Sequence, residues 1–589
     1  MMRAASEGGA MTEVDLIIRG GTVLDGTGGP PRTADVAVRD GVIVEVGRVD
    51  GRAREVIDAD GALVTPGFVD VHTHYDGQAS WDGRLAPSAL HGVTTVVMSN
   101  CGVGFAPVRP GDQDRLIELM EGVEDIPGAA LHEGLAWDWQ TFGDYLDALE
   151  RRPHDIDLGA QVPHGPLRLF VMGERGADRE PATEAEIAEM GRLAAGAVLA
   201  GALGFTTSRT LNHRTSRGEP TPTLTAAREE LVGIARAVGS TGRGVLQVIS
   251  DFPDFDDEME TLRRMMAESG RPLSVSLSQL HDRPDDWRRT LEAVTAANAD
   301  GLVMRAQVAP RAVGVLIGLQ ATLNPLNRCP SYAPYAGLDV GEQARRLADP
   351  ELRSAILSEY AESRRRMADS LDRVFVLGEP PEYEPHPDTS VAATAAGLGR
   401  DPYELFYDLL LEDDGQALLY LPIFNYADGN LDAVAEMLAH PHTIPGLGDG
   451  GAHVGTICDG SFPTTLLAHW GRDRSRGRRF ELPWLIRRQT QDTAEALGLP
   501  DRGVVAAGYK ADLNVIDLER LRLGAPRMLH DLPAGGKRLM QRADGYLHTV
   551  VSGTPTYASG EPTGALPGHL VRGPQPAPPA GPQPAPPAA

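Results

Sequence analysis

Two histidines one residue apart, His72 and His74, close the apolar run PGFVDVHTHYD at residues 66–76. In an extended strand alternate side chains share a face, so both imidazoles project together from its end. Paired imidazoles with a carboxylate, Asp76, just behind them suit a divalent metal ion. A lone His-x-His is often accidental. This one follows a Pro-Gly turn and an apolar strand, at the point where a β-rich opening gives way to a long alternating middle.

The elements that must position this pair are written in the rest of the 589 residues, a length that exceeds one simple domain. From residue 12 to 65 short apolar runs alternate with Gly and Asp punctuation, as in hairpins. The same style returns late, in GVVAAGYKADLNVIDL and GYLHTVVSGTPTYASG. These two ends predict one small β-sandwich domain, residues 12–65 with 485–572. Between them, FVDVHTH, GVTTVVMSN, DLGAQVPHG, ALGFTTS, GVLQVIS, PLSVSLSQ, GLVMRAQV and HTIPGLGD read as strands alternating with helices. One helix is written in detail: Thr183 and Glu186 form a capping-box pattern, Ile187, Met190, Leu193, Ala194 and Val198 repeat at helical spacing, and Gly201 ends the run. Such alternation implies a parallel α/β sheet across residues 66–484, doubly wound or closed into a barrel. Residues 309–442 exceed one strand–helix unit and predict helical and loop insertions over the mouth. Residues 1–11 read as an unstructured leader, and residues 573–589, with their repeated PQPAPPA, as a disordered Pro/Ala-rich tail.

Composition excludes several classes. The net charge is −27 and no Lys/Arg-rich block occurs, so neither nucleic acid nor an anionic membrane is the expected partner. Three widely spaced cysteines, Cys101, Cys329 and Cys458, make no disulfide framework and suit a reducing compartment. No signal-length apolar segment and no run of 18 apolar residues occurs, which predicts a soluble, cytoplasmic protein. A small-molecule substrate is expected, with room left for a homo-oligomer. Lys510 and Lys537 are the chain's two lysines.

The sequence resembles the amidohydrolase superfamily, and more closely its D-aminoacylase (N-acyl-D-amino-acid deacylase) branch. The matching strings span nearly the whole chain: DLIIRGGTVLDGTG, PGFVDVHTHYD, GVTTVVMSNCGVGFAP, PHGPLR, HPHTIPGLGDGGAH, ALGLPDRGVVAAGYKADLNVIDL and HDLPAGGKRL. The resemblance implies a (β/α)₈ TIM-like barrel rather than the doubly wound alternative, with a zinc-type site at the C-terminal strand ends. It carries metal-ligand roles onto His72, His74, Cys101 and Asp449, and the proton-shuttling role onto Asp449. Departures are as informative. The fifth- and sixth-strand histidines of the branch are missing here, where GVLQVISDF and LSVSLSQLHD stand, with Ser278 or Gln279 at the sixth position. His281 lies just beyond, as a candidate metal ligand or supporting group. A carboxylated lysine bridging two ions, common in the superfamily, is excluded because no lysine precedes residue 510.

The simplest reading is one divalent ion, of zinc type, on His72, His74 and Asp449, with Cys101 as fourth ligand or near neighbour. A second, weaker ion through Cys101 and His281 is the alternative. His164, Asp76 and His453 are further candidates for orienting ligands or substrate, and Arg209 or Arg214 for holding a substrate carboxylate. The expected activity is metal-dependent hydrolysis of a non-peptide amide C–N bond in an N-acyl-D-amino acid or related small amide. The rival readings are a cyclic amide substrate, deamination or decarboxylation on the same scaffold, and a degenerate, non-catalytic barrel.

Overall fold

Eight short runs, each apolar enough to be buried on both faces, form parallel strands in the order in which they occur. They are β1 Phe68–Asp70, β2 Val93–Met98, β3 Asp157–Ala160, β4 Gly204–Arg209, β5 Val245–Ser250, β6 Leu273–Leu277, β7 Met304–Val308 and β8 Thr443–Pro445. The computed structural model describes residues 13–363 and 370–578, and all eight fall inside them. Strands β1, β2 and β3 pair parallel in that order. After Gln161 the third strand resumes at Val162–Pro163, which pairs with β4, and the parallel ladder continues through β5, β6 and β7 to β8. Hydrogen bonds also join the ends of β1 and β8: Asp449 N–H donates to His72 O (3.0 Å) and His74 N–H to Gly450 O (2.8 Å).

Helices supply the crossovers that parallel strands require. Between β3 and β4 lies Glu184–Ala200, where Thr183 and Glu186 make both bonds of the capping box and Gly201 follows at φ 126°. Arg228–Ser240, Phe255–Ser269 and Asp286–Ala299 connect the next strands.

The excess between β7 and β8 is more than helices and loops. It holds a three-stranded antiparallel sheet of Val313–Ile317, Phe375–Val376 and Leu419–Phe424, and a separate apolar core that includes Leu347, Ile356, Phe406 and Leu410. The two chain ends meet in a nine-stranded sheet, where Leu63–Pro66 pairs antiparallel with Leu513–Ile516. By its hydrogen bonding this is one continuous mixed sheet, whereas the strand pattern predicts a sandwich. Residue 485, the expected start of the C-terminal β portion, falls inside the helix Leu482–Gln489. Just beyond it, Ala494, Leu497 and Leu499 pack against Val69, Val71 and Ile444, so this stretch belongs with the parallel strands. Residues 573–578, expected within the tail, are held against the body, since Gly573 N–H bonds to Gly201 O (2.8 Å) and Gln575 N–H to Gly498 O (3.2 Å). The expected leader and residues 579–589 lie outside the described residues. Among those described, no helix is long and apolar enough to cross a membrane.

Candidate metal centre

The candidate site lies where the chain leaves β1, β2 and β8. Past Asp70 the first segment stays extended, because Thr73 N–H and Oγ1 both donate to Val97 O on β2 (3.0 and 2.9 Å). His72 and His74 flank that anchor, with ring centroids 5.5 Å apart.

Asp449 arrives on the glycine-rich loop after β8, and sterics explain the composition. A Cβ on Gly450 would sit 2.4 Å from Ser88 Oγ, and one on Gly448 would sit 2.5 Å from Asp70 Oδ2. Asp449 itself takes φ 45° and Cys101 φ 53°, left-handed conformations that cost about 1–3 kcal/mol each and persist where surroundings enforce them. For Cys101 the enforcement is visible. Its N–H donates to Gln247 Oε1 on β5 (3.1 Å), and the next N–H, of Gly102, donates to Thr206 Oγ1 on β4 (3.1 Å).

The donor atoms converge. Cys101 Sγ lies 3.2 Å from His72 Nε2, and Asp449 Oδ1 lies 3.4 Å from His72 Nε2 and 3.7 Å from His74 Nε2. Donors of His72, His74 and Cys101 all fall within 4.8 Å of one another. Tetrahedral bonds of about 2.0–2.3 Å place neighbouring donors about 3.3–3.8 Å apart. The spacings of Cys101 and Asp449 from His72, and of Asp449 from His74, therefore fit a divalent metal ion.

The electrostatics leave His72 and Asp449 ready to bind an ion, whereas His74 and Cys101 would have to release a proton to do so. Burial drives His72 down to about 4, against the pull of Asp449, so its ring is neutral. Burial would raise the Asp449 carboxyl, but His74, His72 and His453 hold it below the usual carboxylate range. Burial also opposes charge on His74, yet Glu124, Asp449 and Cys101 together outweigh it and hold that ring well above its ordinary value. The Cys101 thiol is pushed up to about 11 by burial, against the influence of His74.

Two supporting groups escape a reading of sequence. Gln307, on β7, places Oε1 2.6 Å from His72 Nδ1, and its Nε2 donates to Ser274 Oγ (2.9 Å). The second bond fixes the amide so that its oxygen faces the ring. Nδ1 then carries the proton and Nε2 keeps its lone pair for a metal. Replacing Gln307 with leucine is expected to weaken divalent-ion affinity about 10- to 100-fold, the usual effect of losing such a partner. Competition against a chromogenic chelator measures it, and wild-type affinity would rule out the orienting role. Glu124 is the other. Its Oε1 lies 3.2 Å from His74 Nδ1 and its Oε2 3.7 Å from His453 Nε2. The first contact is a charge pairing rather than an aligned hydrogen bond, and neither atom has another partner. One signal was available: Glu124 closes the helix Gln113–Glu124, where the macrodipole disfavours a carboxylate. Gln161 and Gln247 complete a polar layer beneath the site, Gln161 Nε2 donating to Asn100 Oδ1 (3.1 Å).

A cavity of about 580 Å³ opens above these groups, lined by His72, His74, Cys101, Glu124, Asp449 and His453 at its metal-donor end. His213, unremarked in the sequence beside Arg214, also lines it. Its Nδ1 is 2.9 Å from Ser208 Oγ, and burial lowers its pKa to about 3.

The remaining expectations are corrected. His281 stands outside the donor cluster, its Nε2 3.2 Å from Pro422 O, because the chain turns outward after β6. Asp76 faces the loop backbone, accepting from Ser99 N–H (3.0 Å) and Ser99 Oγ. It shapes the Cys101 loop and does not line the cavity. His164 is buried between Thr207 Oγ1 and Glu230 Oε1, each at 2.9 Å. Arg209 is spent on Glu258 Oε1 (2.6 Å) and Ala226 O (2.7 Å), and Arg214 on Gly218 O (3.0 Å). Neither arginine lines the cavity.

The chain is 28% identical to a D-aminoacylase of Alcaligenes xylosoxydans xylosoxydans over 562 residues, covering 95% of this chain and 97% of that one. It superposes on a solved D-aminoacylase described by its binuclear metal centre with TM-score 0.64 at 25% identity, covering 95% of this chain and 100% of that one. An N-acyl-D-glutamate deacylase from Bordetella bronchiseptica, solved with zinc and a phosphonate inhibitor, gives TM-score 0.63 at 25% identity with the same coverage. The amidohydrolase family model matches residues 55–557, a span that takes in every donor and supporting group described above, and the chain belongs to that family.

Proposed function

We propose that this protein is a metal-dependent hydrolase that cleaves the amide C–N bond of an N-acyl-D-amino acid, using one zinc-type ion. The observation that carries the reading is the cluster of His72, His74 and Cys101 donors with Asp449 Oδ1 beside both imidazoles, at one end of a cavity. We read the eight strands as a (β/α)₈ barrel with a small β-domain from both chain ends. The hydrogen bonds joining β1 to β8 support the barrel. A barrel also places loop-borne residues at the C-terminal strand ends, where such enzymes work.

When bound, a divalent ion would polarise the scissile carbonyl and lower the pKa of water from 15.7 toward 7. The chain's own groups do the rest. His72, kept neutral by burial and oriented by Gln307, and His74, backed by Glu124, hold the ion. Asp449, ionised at neutral pH, accepts on its carboxylate the proton of the water that adds to the carbonyl carbon. It returns that proton to nitrogen as the C–N bond breaks, leaving a carboxylate and a free amine.

The test is product analysis with N-acyl-D- and N-acyl-L-amino acids. Free amine from the D series, abolished by a chelator and restored by zinc, is the expected result. Ammonia or carbon dioxide as product, or turnover indifferent to chelation, would overturn the assignment.

A further inference from the structure

The cavity runs well past the metal donors into a slot between two apolar walls. One wall is the inserted sheet. Val313 and Val315 stand on its first strand, and Phe424, opposite Val313 in the ladder, stands on its neighbour. The other wall is Phe252 and Phe255 after β5, with Trp287 from the helix after β6. The Phe252 and Phe255 rings pack with centroids 5.4 Å apart. All but Trp287 are only half-buried, so apolar surface from two separate elements faces open space across the slot. Facing walls of this kind gain free energy when an apolar group fills them.

The charged lining at this end carries carboxylates as well as guanidiniums, Asp251 and Asp286 among them. The two arginines lining the slot are Arg283, 3.3 Å from Asp286, and Arg289, 2.7 Å from Asp256 with its guanidinium 4.0 Å over Phe255. A substrate carboxylate placed here would have to compete with aspartates for both. The uncharged end of an N-acyl amino acid is its acyl tail.

We propose that this slot binds a lipophilic acyl chain, so that the enzyme acts on N-acyl compounds bearing a long aliphatic or aromatic acyl group in preference to N-acetyl ones. The inference rests on the amide hydrolysis assigned above. It adds the substrate class and gives the inserted sheet its purpose, as the wall that sets acyl length.

Two measurements test it. In the first, kcat/KM is compared along one series of N-acyl-D-amino acids from acetyl to dodecanoyl. The expected rise is about fourfold per added methylene until the slot is full, the factor that corresponds to about 0.8 kcal/mol of burial. Val315→Trp, which fills the slot, should flatten the series and collapse the dodecanoyl-to-acetyl ratio. A flat wild-type series, or one that follows the amino-acid side chain instead of the acyl group, overturns the proposal. The second needs no turnover: the apolar dye N-phenyl-1-naphthylamine should gain fluorescence with the wild type and much less with Val315→Trp. Dye binding that Val315→Trp weakens, with no amide cleaved at any chain length, would keep the slot and sink the hydrolase reading. Cleavage with a flat series and no dye binding would do the reverse.

Discussion

Exchanging Asp449 for asparagine should lower kcat by about 10²- to 10⁴-fold, the range associated with losing a positioned acid–base group. The substitution keeps size and a donor oxygen near His72 and His74, so metal content should fall far less than turnover. What it removes is the capacity to take a proton. In the wild type His74, His72 and His453 keep this carboxyl ionised, and the φ of 45° together with the bond to His72 O fixes where it points. Side-by-side measurement of bound metal and of kcat separates the two roles. Near-normal turnover in a metal-replete Asp449→Asn protein would transfer the proton to another group, with His453 next in line on the cavity wall.

The second large effect is expected from His74→Ala. It deletes a donor and also strands Glu124, whose carboxylate is fully buried and pairs with His74 and His453. Removing one partner of a buried charge pair commonly costs about 3–5 kcal/mol, so the variant should lose both its ion and thermal stability. Ion affinity should fall further than the 10- to 100-fold expected for an outer partner such as Gln307. His164→Ala is the natural control. It too takes a partner from a buried glutamate, Glu230, which keeps its ion pair with Arg168, and it lies away from the cavity, so it should cost some stability while metal stoichiometry holds. Full occupancy in His74→Ala would remove that ring from the donor set.

Much of this was legible in the chain. The eight apolar runs are the eight parallel strands, and the capping box at Thr183 and Glu186 forms as its spacing requires. His72, His74, Cys101 and Asp449 do come together. Local pattern was enough for these because strand periodicity and motif context each fix a direction. Gln307 and Gln247 were not legible, since their roles exist only once β5 and β7 are brought beneath the loops, whereas Glu124 left one signal, its place at a helix C-terminus. His281 and Arg209 failed for the complementary reason. Each sits close to a strand end in sequence, yet one turns out to Pro422 and the other is taken by Glu258. The inserted strands were passed over because residues 309–442 were read whole as helices and loops, although Val313–Ile317 is as long as β6 and β7.

The backbone exchange between His72 and Asp449 has a consequence for biogenesis. Donors nearly four hundred positions apart meet only when the last parallel segment docks beside the first, a contact of very high order that forms late. A ribosome-bound chain that stops short of Asp449 owns two imidazoles and a thiol but no finished cage. Ion capture is then linked to the docking of β8 beside β1, and any ion that binds only the docked form tightens that seam by mass action.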